Sequence, residues 1–98
     1  MQHVVCAVYD AAVGQYLSPF VQRSKMEALR SFKTAANNRE HDFYHHAKDY
    51  TLFALGDFDP DSGKLSPYEA KQPLGTAIEL IEQEAPGEQL QLVPGEGD

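Results

Sequence analysis

The sequence predicts an α+β fold: a four-stranded antiparallel sheet with one main helix packed on a face (ββαββ), plus a short C-terminal helix. Three observations lead there. Runs of β-branched and aromatic residues have strand length, Asp- and Gly-bearing turns separate them in pairs, and one capped amphipathic stretch lies between the pairs.

His3 to Asp10 is apolar almost throughout, which fits a central, well-covered strand. Asp10-Ala11-Ala12-Val13-Gly14 supplies a turn, and Gln15 to Val21 returns as a second strand that Pro19 confines to an edge. Ser24-Lys25-Met26-Glu27 matches a capping box, in which the Ser hydroxyl accepts from the backbone and the Glu reaches back. A helix over Met26 to Ala36 follows. At the helical period Ala28, Leu29, Phe32, Ala35 and Ala36 share a face directed at the sheet, while Arg23, Glu27, Arg30, Thr34 and Asn37 share the opposite one. Asn37-Asn38 ends it, through Asn's tolerance of left-handed backbone.

Residues 39–49 form a polar and aromatic connection to which the pattern assigns no element. Tyr50 to Leu55 is the third strand, and Pro60-Asp61-Ser62-Gly63 the turn into a fourth, Lys64 to about Tyr68. After Pro73, Gly75 to Gln83 has a helical pattern with Ala77, Ile78 and Ile81 inward. The expected organisation is one α+β domain over residues 1–85 and an acidic, flexible tail over 86–98, whose thirteen positions hold two Pro, three Gly and three acids.

Composition restricts function. Ninety-eight residues suffice for one modest core. No apolar run approaches the roughly 20 residues that span a bilayer, and no basic, apolar leader precedes the first strand. The lone Cys6 lies within an apolar strand, where a buried structural thiol is expected and an internal disulfide is impossible. The net charge of −7 hides a polarity: residues 1–50 hold six basic against five acidic side chains and all four His, whereas residues 51–98 hold two basic against ten acidic.

Four constellations have chemical potential. His41 and His45 stand at i, i+4 and could share a metal, yet a structural zinc site wants four ligands, so surface or capping histidines are the simpler reading. Asp57 to Gly63 alternates acids like a calcium loop, but Pro60 occupies an interior position and Tyr68 stands where a bidentate Glu belongs, leaving an acidic hairpin turn. No nucleophile–base pair, enclosed carboxylate pair or phosphate-cradling Gly loop stands out, so neither an enzyme nor a cofactor is expected. The basic residues Arg23, Arg30, Lys33 and Arg39 remain, with Tyr16, Phe20, Phe43 and Tyr44 nearby in sequence, a mixture that suits single-stranded nucleic acid: cations for phosphates and rings for bases. Phe43 and Tyr44 are the candidate stacking residues.

Specific stretches resemble a known family. Ala7-Val8-Tyr9-Asp10, Pro19-Phe20, Ala28-Leu29-Arg30-Ser31-Phe32 and, above all, His46 through Asp59 with Ser62-Gly63 resemble the small nonstructural protein of the gokushovirus-type microviruses, bacteriophages with single-stranded DNA genomes; the likeness covers about residues 5–75. Ala47 stands where that family usually has Pro, and the acidic tail is longer than the family leads one to expect. The resemblance implies a non-enzymatic accessory protein in the host cytoplasm that binds single-stranded phage DNA during viral DNA replication or the switch to DNA packaging. Arg30 is the first residue it carries over. A protein-interaction or homodimeric adaptor module, contacting the replication initiator or capsid proteins, is the competing expectation. A homodimer is expected in either case, because a small sheet leaves edges that need covering.

Overall fold

The computed structural model describes residues 2–81. The expected tail, 86–98, lies outside them, as do the last residues of the expected C-terminal helix. Within them the chain runs β1 (His3–Asp10), β2 (Gln15–Tyr16), β3 (Phe20–Gln22), α1 (Lys25–Ala36), α2 (Asp42–His45), a 3-10 turn (Ala47–Asp49), β4 (Tyr50–Asp59) and β5 (Lys64–Thr76), and is helical again over residues 77–81. This is an α+β fold with an antiparallel sheet of five strands in the order β2-β1-β4-β5, with β3 beside β1.

The five strands correct the expected four. The second strand is two short pieces, because Ser18-Pro19 leaves the ladder: Tyr16 pairs with Tyr9, the Leu17 N–H still donates to the Val8 carbonyl at 2.8 Å, and pairing resumes at Phe20 opposite Cys6. Proline lacks the N–H a continuous strand would donate. β4 and β5 also run past their expected ends at Leu55 and Tyr68, to Asp59 and Thr76.

Both hairpin turns use the same device. Asp10 Oδ1 accepts from the Ala12 N–H at 3.0 Å while the Gly14 N–H donates to the Asp10 carbonyl at 2.8 Å; Asp59 Oδ1 accepts from the Asp61 N–H at 2.9 Å while the Gly63 N–H donates to the Asp59 carbonyl at 2.7 Å. Each turn closes on a glycine at positive φ, 73° at Gly14 and 79° at Gly63, where a Cβ would be strained. The Asp61 N–H, followed by the Ser62 hydroxyl, holds the Asp59 carboxyl below its ordinary range. The acidic run is therefore a hairpin turn whose first carboxylate is occupied by its own backbone.

Strand alternation divides the sheet. Val4, Cys6 and Val8 of β1, with Tyr50, Leu52 and Ala54 of β4, point to the side on which Ala28, Phe32 and Ala36 of α1 and Ala77 and Leu80 of the last helix are buried. Cys6 and Leu52 are fully enclosed there. Burial pushes the Cys6 thiol up, with Lys25 opposing. At about 1.5–3 kcal/mol for a fully buried aliphatic or aromatic side chain, this layer is the main source of stability. Ser24 caps α1, accepting from the Glu27 N–H at 3.1 Å. Asn37 closes it with φ −96°, outside the left-handed region expected for it; its Nδ2 instead donates to the Lys33 carbonyl at 2.9 Å. The last helix begins two residues later than expected, after Thr76, which exchanges hydrogen bonds of 3.2 Å with Glu79 in a reciprocal capping box. Its inward residues include Leu80, which the pattern reading left out.

Among the described residues, no helix is long and apolar enough to cross a membrane.

Candidate nucleic-acid interface

The residues read from the sequence occupy separate places on the helical side. Arg23 lies in the bend before α1 and lines an open groove of about 850 Å³ with Lys25, Tyr68, Gln72 and Lys71. Arg30 and Lys33 line a smaller depression on α1, about 240 Å³, with Met26, Leu29 and Leu80. Arg39, beyond the helix, sets its guanidinium 5.9 Å from the Tyr44 ring centroid. Phe43 is partly buried and packs against the core: its ring is 5.2 Å from Phe32, 4.7 Å from Tyr50 and 4.2 Å from His41. His41 caps α2, its Nδ1 accepting from the Phe43 N–H at 3.0 Å, and no three His, Cys, Asp or Glu side chains converge among the described residues.

The other side of the sheet is different. Val5, Tyr9, Phe53 and Leu55 alternate with the core residues of β1 and β4, and no helix covers them among the described residues. Tyr16 joins them from β2, opposite Tyr9. The three rings form one cluster, with centroids 4.8 Å apart for Tyr9–Tyr16, 5.8 Å for Tyr16–Phe53 and 6.4 Å for Tyr9–Phe53. Tyr16 is 40% exposed, and the Lys71 ammonium stands 5.9 Å from its ring centroid. Farther along the same face, Val5, Leu55, Leu65 and Pro67 line an apolar depression of about 160 Å³.

The pattern does not single out Tyr9, Phe53 and Lys71, because continuous apolarity in β1 fits a covered central strand. A signal was present. Both strands are apolar at odd and even positions, but one twelve-residue helix with a short companion can cover only one face, so the second set of rings had to face solvent or a partner.

A second polar unit lies at the groove. The Tyr68 hydroxyl donates to Asp57 Oδ1 at 2.7 Å, and the Lys25 ammonium sits 5.3 Å from the Tyr68 ring while donating to Gln72 Oε1 at 2.6 Å. Burial, then the hydrogen bond to the Asp57 carboxylate, pushes Tyr68 up to about 12, so the phenol remains a donor at any physiological pH. Among the described residues, no carboxylate forms an ion pair with Arg23 or Lys25.

A family model, Phage ORF5 protein, matches residues 3–80. The chain belongs to that family. The matched span contains the whole described sheet and both of its faces, so the open aromatic face lies within the Phage ORF5 domain. No curated protein and no solved structure gives a match.

Proposed function

We propose that this Phage ORF5 family member is a non-enzymatic accessory protein that binds single-stranded DNA on the open face of its sheet, with bases stacking on Tyr16, Tyr9 and Phe53 and Lys71 meeting a phosphate. The observation that carries this reading is the three-ring cluster, partly buried at Tyr9 and Phe53 and exposed at Tyr16, with the Lys71 ammonium over the Tyr16 ring. Stacking of a base on an aromatic side chain is worth about 1–3 kcal/mol and tolerates any sequence. In a chain of net charge −7, phosphate attraction alone would be weak, so the rings must supply much of the affinity. Arg23, Arg30, Lys33 and Arg39, with Tyr44, form a cationic helical side that draws in the strand. The gokushovirus-type resemblance supports a setting in the host cytoplasm during viral DNA replication or packaging.

Fluorescence anisotropy with labelled single-stranded and duplex DNA, at low and moderate salt, tests the reading. Preference for the single strand, lost on Tyr16→Ala, is expected; equal affinity for duplex, or an unaffected Tyr16→Ala variant, contradicts it.

A second reading rests on the apolar depression of Val5, Leu55, Leu65 and Pro67, whose Leu65 is exposed, and on exposed Val21 opposite Val5. These residues suit a homodimer or a viral protein partner, such as the replication initiator or a capsid protein. Association through them would persist at high salt, where DNA binding weakens.

A further inference from the structure

We infer that the bound strand does not end at the aromatic face but passes over the β5 edge into the groove beside α1, where Arg23 and Lys25 take its phosphates. This extends the single-stranded DNA reading and rests on it.

The joint is a break in the β4–β5 ladder. Gly56 pairs with Pro67 and Ala54 with Gln72, so Leu55 alone stands opposite Tyr68, Glu69, Ala70 and Lys71. Those four residues bow out of the ladder as an arch. Wide irregularities of this kind redirect side chains and interrupt an edge. Lys71 marks the crossing: it lines the groove on the helical side, yet its ammonium stands over Tyr16 on the open side. The groove is wide, about 850 Å³, and its charged lining is Arg23, Lys25 and Lys71 against Asp57, whose Oδ1 already accepts from Tyr68. Gln72 holds Lys25 at the wall, with the ammonium over the Tyr68 ring. Glu69, exposed on the arch, is the acid a crossing strand would meet. The arrangement fits a ligand with spaced negative charges and flat groups at one end, which a single-stranded polynucleotide has and a lone phosphate lacks.

The path makes length the discriminating variable. Oligothymidylates of about 4 and about 16 nucleotides, the limits of common single-strand sites, are titrated into wild-type protein, Arg23→Gln/Lys25→Gln and Tyr16→Ala. The groove variant should leave the short oligonucleotide unaffected, weaken the long one several-fold and flatten its log–log salt slope by about 1.4, the loss of two phosphate contacts on a single strand. Tyr16→Ala should weaken both lengths. If the groove variant changes neither length, or both equally, the path is wrong while the open-face reading stands. If wild-type protein binds neither oligonucleotide, both fail. Arg23→Gln alone, in a bend outside α1, checks that any loss is not a folding defect: half the slope change with an unaltered melting temperature is expected.

Discussion

Individual side chains divide into those whose role follows from pattern and those whose role needs the third dimension. Phe32 is of the first kind: placed on the apolar face of the helix by its period, it is 3% exposed and meets Phe43 edge-on. Phe32→Ala should lose about 3–5 kcal/mol in denaturant unfolding. Arg30, exposed on the opposite face, should tolerate alanine with almost no change in melting temperature. Phe43 and Tyr44 are of the second kind, because adjacent aromatics in an unassigned connection carry no mark of which turns inward. Phe43, partly buried, packs against the core, and Tyr44 meets Arg39. Tyr68 gives a pH signature. Its raised folded-state value means that the folded protein holds the phenolic proton more tightly, so this contribution to stability is complete below about pH 10 and is lost as pH rises through about 12. Ultraviolet titration of the tyrosines should show a late ionisation that Tyr68→Phe removes; Tyr50, raised by burial and then by Asp10, Asp42 and Asp49, should also titrate late.

Elements were legible where punctuation and period agreed. Ser24 announces α1, and the two Asp-to-Gly turns announce their hairpins, because each signal acts within five residues of chain. The break between β2 and β3 and the arch in β5 were not legible, since strand pairing depends on a distant partner's register. Gly56 explains part of that register. A Cβ there would lie 2.6 Å from the Ser66 carbonyl oxygen and 2.8 Å from the Pro67 Cα, so β4 and β5 approach too closely for any side chain. Gly56→Ala should therefore cost about 1–3 kcal/mol by overpacking. Gly63→Ala, with open space around it but φ of +79°, should cost about 1–2 kcal/mol through backbone strain alone. Thermal melts of the pair separate the two causes: the first variant should also disturb the β4–β5 amide signals in NMR, the second only the turn.

For the molecule as a whole, the fold was far easier to read than the site. Composition and turn chemistry fix one helical layer on one sheet, but the exposed aromatic face emerges only when the layers are counted. The β5 edge is guarded against pairing with a second copy. β5 bears Pro67 and Pro73, Lys64, Glu69 and Lys71, and the arch, all of which discourage pairing with another strand. If two copies associate, the apolar face around Leu65, 61% exposed, is the better contact. Light scattering should then show Leu65→Glu as a monomer. The acidic residues beyond 81 carry no compensating base, so deleting 86–98 should tighten DNA binding at low salt, with the gain fading as salt screens it over about 10 Å at 0.1 M. The most direct test of the open-face account is an NMR titration of the labelled protein with single-stranded oligothymidylate. The account expects the largest shifts at the Tyr9 and Tyr16 rings, Phe53 and Lys71, with smaller ones at Arg23 and Lys25; shifts confined to α1 and residues 39–45, with the three rings unmoved, would contradict it.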